Sequence, residues 1–153
     1  MEKGDIAPDF ELPDETGAPR RLSDFLAQGP VVLFFYPMAL TRGCTMESCH
    51  FRDLAGEFGE FKAQRVGISA DKVDKQKRFS EKHQFDFPLL SDADKSVAKA
   101  YGVRRGPGPI PNKRTTFVIG TDGTIKAVVR SETNMNTHAD TALATLRGLS
   151  STA

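Results

Sequence analysis

The run Val31-Val32-Leu33-Phe34-Phe35-Tyr36, closed by Pro37, constrains this chain more than any other stretch. A strand with one wet face alternates apolar and polar residues, whereas a continuous apolar strand must be covered on both faces. The run therefore calls for a central strand with helices above and below it. A short loop follows, and a helix is predicted to open at or near Cys44. Both cysteines of the chain, Cys44 and Cys49, lie in this region.

The flanking segments alternate in kind. Phe10 and Leu12 suggest a short strand, Asp14-Glu15-Thr16-Gly17 a turn, and Arg20-Arg21-Leu22 a returning strand. Ser23 is positioned to cap a short helix through Leu26. Phe51, Leu54, Ala55 and Phe58 fall at helical spacing, with Cys44 seven residues before Phe51 on the same face. Val66 to Ser69 reads as a second strand. Asp71 is a candidate cap for a helix running roughly to His83, with Phe79 inward. Phe87-Pro88-Leu89-Leu90 is a short extended piece, and Ser96 to Tyr101 a helix closed by Gly102. Gly106 to Pro111 is a Gly/Pro-rich surface loop. Thr115–Ile119 and Thr124–Val129 flank Thr121-Asp122-Gly123, a hairpin signature. A last helix over Asn136 to Arg147 turns Ala139, Ala142, Leu143 and Leu146 inward. This order predicts an α/β fold of one domain over residues 1–153, with a mixed central sheet, helices on both faces and an N-terminal hairpin. In such sheets the reactive site lies beyond the carboxyl ends of central strands, where Pro37 to Cys44 falls.

Charge excludes some partners. The formal net charge is +1, so no global field draws nucleic acid or an anionic membrane. No apolar segment reaches membrane-spanning length, and the start Met1-Glu2-Lys3-Gly4-Asp5 lacks a secretory pattern. The expected compartment is a reducing cytoplasm, where two cysteines are free or catalytic rather than a permanent staple.

A thiol is nucleophilic as its thiolate, and an ordinary cysteine titrates at ~8.5. At a helix N-terminus, unpaired N–H groups and the positive end of the dipole favour the anion. Thr41 can place a hydroxyl beside Cys44, Gly43 permits close backbone approach, and Arg114 is the remote candidate for a cationic donor. Thiolate, hydroxyl, backbone N–H and guanidinium together suit attack on an O–O bond, whose leaving oxygen gains charge. On a regular helix, residues five apart are rotated by ~140° with Cα atoms about 8–9 Å apart. A disulfide needs about 4.4–6.8 Å. Cys44 and Cys49 therefore join only if the first turns unwind, and Thr45 and Ser48 are weak helix formers that permit this.

These residues resemble the peroxiredoxins, in particular the Q-type (bacterioferritin comigratory protein-like) group. The Pro-x-x-x-Thr-x-x-Cys pattern runs from Pro37 through Thr41 to Cys44, and Cys-Thr-x-Glu-x-Cys from Cys44 to Cys49. Gly4 to Phe10, Ser69-Ala70-Asp71, Phe87 to Asp92 and Arg114 to Ile119 are similar too. The resemblance implies a thioredoxin-like fold and thiol-dependent reduction of hydrogen peroxide and organic hydroperoxides. By position it implies that Cys44 is the peroxidatic cysteine and Cys49 the resolving one. Thr41 and Arg114 would bind and polarise the peroxide, and Pro37 would shield the sulfur. It implies no metal or flavin, and a thioredoxin or similar dithiol as reductant. A monomer is preferred over a homodimer, since both cysteines of the cycle are local. One departure stands out: the group commonly has Thr-Pro-Gly-Cys, and here Arg42 replaces the proline.

Blander roles compete for several residues. Thr41 could only cap the helix, Pro37 only stop the strand, and Arg114 only face solvent. Glu47 could orient an arginine or simply favour the helix start. Arg42 reads as a solvated loop residue. His50, His83 and His138 are scattered and expected at the surface, and Phe58 and Phe61 are core candidates. Two other functions share the predicted fold: a general thiol–disulfide oxidoreductase, which would want an absent Cys-x-x-Cys pair, and a non-catalytic binding module or metal carrier.

Overall fold

A computed structural model describes residues 1–104 and 112–151. The central strand β3 (Val31–Phe35) is buried throughout, and Tyr36 just beyond it is buried as well. Its side chains divide between two cores. Val31, Leu33 and Phe35 pack with Leu22, Phe25, Val97, Ala98 and Tyr101 on one face. Val32, Phe34 and Tyr36 pack with Phe51, Phe58, Phe79, Ala142 and Leu143 on the other. Two-sided burial is the reason the run is continuous.

The other strands are β4 (Gln64–Ser69), β5 (Leu89–Ser91), β6 (Thr115–Ile119) and β7 (Ile125–Arg130), in the order β5-β4-β3-β6-β7. β4 runs parallel to β3, and β6 antiparallel to it. The predicted N-terminal hairpin forms as β1 (Glu11–Pro13) against β2 (Pro19–Arg21). Helices α2 (Arg42–Asp53), α3 (Ala55–Gly59), α4 (Val73–His83) and α6 (Asn136–Ser151) supply residues to the second core. Helices α1 (Leu22–Leu26) and α5 (Ser96–Ala100) supply the first. No helix among the described residues is long and apolar enough to cross a membrane.

Three local expectations change. The helix after Cys44 is interrupted at Leu54, whose φ −96° and ψ 21° leave the helical region, so α2 and α3 are separate. Ser23 sits inside α1 rather than capping it, and its N–H is taken by the Asp9 carboxylate at 3.0 Å. Asp71 does not cap α4, whose N-cap position is Lys72. Its carboxylate turns instead to the loop after β3, where it accepts the Ala39 N–H. The Gly106 to Pro111 loop lies outside the described residues.

Candidate active site

Strand register brings distant residues together beyond one end of the central strands. Phe35 pairs with Thr115, so Arg114 lies beside the end of β3, where the chain turns through Pro37. The loop there is held from β4: Asp71 accepts the Ala39 N–H at 2.6 Å and the Ser69 hydroxyl at 2.7 Å. Between Ala39 and Thr41, Leu40 adopts φ 68°. That region is costly for a bulky side chain and persists only when neighbours over-determine it. Here the Asp71 grip lies on one side. On the other, the Thr41 hydroxyl donates to the Met38 carbonyl at 2.7 Å.

Helix α2 begins immediately after. Thr41 holds the N-cap position with an extended backbone but makes no side-chain cap. Cys44 therefore occupies the first turn, 1 % exposed. Arg114 is also buried, at 6 % exposure, which removes the solvent-facing reading. Its Nη2 donates toward Cys44 Sγ at 3.4 Å, and its Nη1 donates to Glu47 Oε1 at 2.7 Å. The Arg114 backbone N–H is held by Glu132 at 3.0 Å. A Cβ on Gly43 would stand 3.2 Å from Nη2 and 3.3 Å from Met135 Cε, so glycine leaves the space through which the guanidinium reaches the sulfur. Burial by itself would lower the Arg114 pKa, but Glu47 and Cys44 outweigh it and raise it further.

Glu47, one turn beyond Cys44, is completely buried. Burial pushes its carboxyl up to about 8; the Arg114 guanidinium pulls the other way and only partly offsets this. His138 corrects a sequence expectation: it is fully buried, not at the surface. It bonds Thr116 Oγ1 through Nδ1 at 2.7 Å and the Ser131 carbonyl through Nε2 at 2.8 Å. Burial lowers its pKa against the opposing pull of the Ser131 carbonyl. The signal for its burial was available, because residues 138, 142 and 146 lie on one helical stripe with Ala142 and Leu146. His50 instead meets Asp140 at 2.7 Å, partly exposed, and His83 packs against Phe79 and Phe85.

Cys49 belongs to the same helix but to a different environment. It is half-buried where Cys44 is buried, and the two sulfurs are not bonded to each other. Burial pushes its thiol up, with Arg52 opposing and Asp53 assisting. Pro37 is half-buried, while Thr41 and Arg42 are exposed at the mouth of the site. Met38 and Leu40 in the loop and Met46 on α2 are exposed apolar side chains. No cluster of metal-ligating side chains occurs among the described residues.

A buried thiol in the first turn of a helix, faced by a buried guanidinium beyond the end of a central strand, is the arrangement that thiol-peroxidase chemistry needs. Comparison with known proteins agrees. Residues 3–128 match the model of the AhpC/TSA family. The chain is 40% identical over 144 residues to peroxiredoxin Bcp of Escherichia coli, covering 90% of this chain and 91% of that one. The crystal structure of peroxidoxin BcpB from Mycobacterium tuberculosis superposes with a TM-score of 0.94 at 60% identity, covering 97% of this chain and 98% of that one. A Xanthomonas campestris bacterioferritin comigratory protein, described for its alkyl peroxide reduction activity, gives a TM-score of 0.84 at 31% identity over 92% of this chain and 91% of that one. The chain belongs to the AhpC/TSA family, among its Bcp and Q-type peroxiredoxins. It is a thiol-dependent peroxidase that uses a peroxide and a thiol reductant.

Proposed function

We propose that Cys44 is the thiol that attacks peroxide and that Cys49 resolves the product within the same chain. The observation that carries this is the Arg114 Nη2–Cys44 Sγ contact at 3.4 Å, inside a site closed to bulk water. Hydrogen peroxide and small organic hydroperoxides both suit it, the apolar rim of Met38, Leu40 and Met46 favouring an alkyl group. The Cys44 thiolate bonds to the distal peroxide oxygen as the O–O bond breaks. Sulfur gives up two electrons and becomes sulfenic acid, and the leaving oxygen takes the negative charge and then a proton. Arg114 stabilises that charge, and the Thr41 hydroxyl, exposed at the mouth, binds the peroxide. Pro37, half-buried at the end of the strand, shields the sulfur in this reading.

Cys49 thiolate then attacks the sulfenic sulfur, the S–O bond breaks, hydroxide leaves and takes a proton from solvent to become water, and a Cys44–Cys49 disulfide forms. A thioredoxin-like dithiol reduces it. The cycle runs in one domain and in a monomer, because both sulfurs belong to α2. Rapid-mixing measurement of peroxide consumption by reduced protein tests the first step. Wild type should consume one equivalent per chain and Cys44→Ser none; consumption by Cys44→Ser would overturn the assignment. A disulfide map of the oxidised protein tests the second step, and it fails if Cys44 and Cys49 are not linked.

A further inference from the structure

Tyr36 and Ala39 flank the turn of Pro37 and Met38, and both are tied to a single buried amide. Gln76 projects from α4 and is completely buried, as are Tyr36 and Ser69. The Leu90 carbonyl of β5 can only accept, so the Gln76 atom that faces it at 2.8 Å is Nε2. The second Nε2 hydrogen goes to Ser69 Oγ at 2.9 Å. The amide oxygen, Oε1, is left to accept from the Tyr36 hydroxyl. Ser69 Oγ also accepts the Asp71 N–H at 3.2 Å, and its own hydrogen goes to Asp71 Oδ2 at 2.7 Å. Oδ2 in turn accepts the Ala39 N–H at 2.6 Å, and Lys75 meets the other carboxylate oxygen at 3.1 Å. Each hydrogen of the amide and the two hydroxyls has one acceptor, so the chain of bonds has a single arrangement.

We propose that Gln76 is a positioning residue for the peroxide step, which fixes the Pro37 to Thr41 loop by holding Tyr36 and Ala39 in one hydrogen-bonded chain. The inference rests on the reading of Cys44 as the thiol that meets peroxide, with Pro37 and Thr41 around it. A buried amide is costly unless its hydrogen bonds are made, and an aliphatic side chain of similar length would fill the same space. What the amide adds is a tether at each end of the turn. Through Oε1 it takes the side chain of the residue before Pro37. Through Ser69 and Asp71 it takes the backbone of the residue after Met38. The Leu90 carbonyl roots the chain in the sheet. Leu40 follows at φ 68°, a conformation that its neighbours must enforce. The Thr41 hydroxyl is bonded to the Met38 carbonyl at 2.7 Å and moves with the same turn. Tyr36 and Cys44 pack in one cluster, so a shift at the turn reaches the surroundings of the sulfur. Arg114 approaches Cys44 from the start of β6 and shares none of these bonds. Gln76 therefore governs where peroxide is received, while the guanidinium governs the charge at sulfur.

The test compares two reactions of Cys44 in reduced wild type and Gln76→Met, a change that keeps side-chain length and removes the amide. Single-turnover consumption of hydrogen peroxide needs the loop geometry. Alkylation by iodoacetamide, read at the Cys44 peptide by mass spectrometry, needs the thiolate but no hydroxyl at the mouth. The peroxide rate should fall by about 10–100-fold, the scale of loss when a reacting group is misplaced by about an ångström. Alkylation should hold its rate, or rise as the loop loosens. An unchanged peroxide rate in Gln76→Met would overturn the proposal. Equal loss of both reactions would overturn it too, because that marks damage to the whole fold rather than to the loop. Ser69→Ala breaks the same chain by one hydroxyl and serves even where Gln76→Met does not fold. It should show the same split to a smaller degree, and in the double variant the two losses should combine to less than their product. Losses that multiply in full would mean that the two residues act separately, against the chain. Failure of the Cys44 assignment shows instead as peroxide consumption by Cys44→Ser, which is independent of the ratio between the two reactions.

Discussion

Cys44 and Cys49 sit on one helix, less than two turns apart, and the protein treats them oppositely. The first is sealed against a cation; the second is half-buried, and burial raises its pKa. The two ends of α2 differ in the same way. Its start has no side-chain cap and carries Gly43 and Thr45, both poor helix formers. Its far end is fastened. Phe51 stacks on Phe34 with ring centroids 4.2 Å apart, and Arg65 donates to the Phe51 carbonyl at 2.9 Å. The same arginine forks onto Asp86 at 2.9 and 2.7 Å. The proposed chemistry thus falls at the uncapped end of α2, and the anchor at the other. In the proposed cycle, melting the first turns to join the sulfurs would also part Glu47 from Arg114, now 2.7 Å away, so activation and resolution would exclude each other in time.

The hardest test of this contrast is Cys49→Ser. Turnover with a dithiol donor should fall to background, while one equivalent of peroxide is still consumed and mass spectrometry finds sulfenic acid on Cys44. Sustained turnover at the wild-type rate would show that Cys49 is a bystander. Next comes Arg114→Met, which removes the donor from Cys44 and strands the buried Glu47. The peroxide step should slow by about 10²–10³-fold, the usual cost of losing a donor to developing negative charge. Because Arg114 also holds Glu47, the variant should be less stable to denaturant as well. A stable variant with unchanged rate would remove Arg114 from the mechanism.

The raised pKa of Cys49 gives a pH test of the second step alone. In the proposed second step only the Cys49 thiolate attacks the sulfenic acid, and burial disfavours that thiolate. Disulfide formation should therefore accelerate by about tenfold per pH unit from pH 6 to pH 8. A flat profile would mean that helix opening, not thiolate supply, sets the rate.

What could be read from the sequence follows a physical line. The buried strand was legible because six apolar residues in succession admit few other placements, and Cys44 because Pro37, Thr41 and Gly43 surround it at fixed spacing. The role of Glu47 toward an arginine could be anticipated but not its burial, which depends on α6 closing over α2. Leu54 and Ala55 kept the helical period, so the break between α2 and α3 left no trace in the pattern. Asp71 and Ser23 look like caps by type, yet tertiary partners claimed them: Ala39 N–H for the Asp71 carboxylate, and the Asp9 carboxylate for the Ser23 N–H. His138 was lost because a lone histidine is read by its polarity, whereas its neighbours Ala139 and Ala142 place it under the sheet.

The smallest predicted effect concerns Arg42, the one departure from the group's usual loop. It occupies the first helical position of α2, where a backbone N–H has no helical partner and proline is well tolerated. Thr41 before it has φ −87° and ψ 158°, the extended conformation that a following proline demands. Arg42→Pro should therefore fit without strain and stiffen the end of α2 that must melt. A compatible proline stabilises by about 0.4–1 kcal/mol. If that stabilisation is spent on holding the first turn closed, disulfide formation should slow by about 2–5-fold. The peroxide step, which needs the turn intact, should hold its rate. Two single-turnover measurements separate the steps: loss of peroxide, and appearance of the Cys44–Cys49 disulfide. Equal slowing of both would mean that Arg42 acts on the thiolate through its charge. Slowing of the second alone would place it on the hinge, and with it the distinction between the opening and the anchored ends of α2.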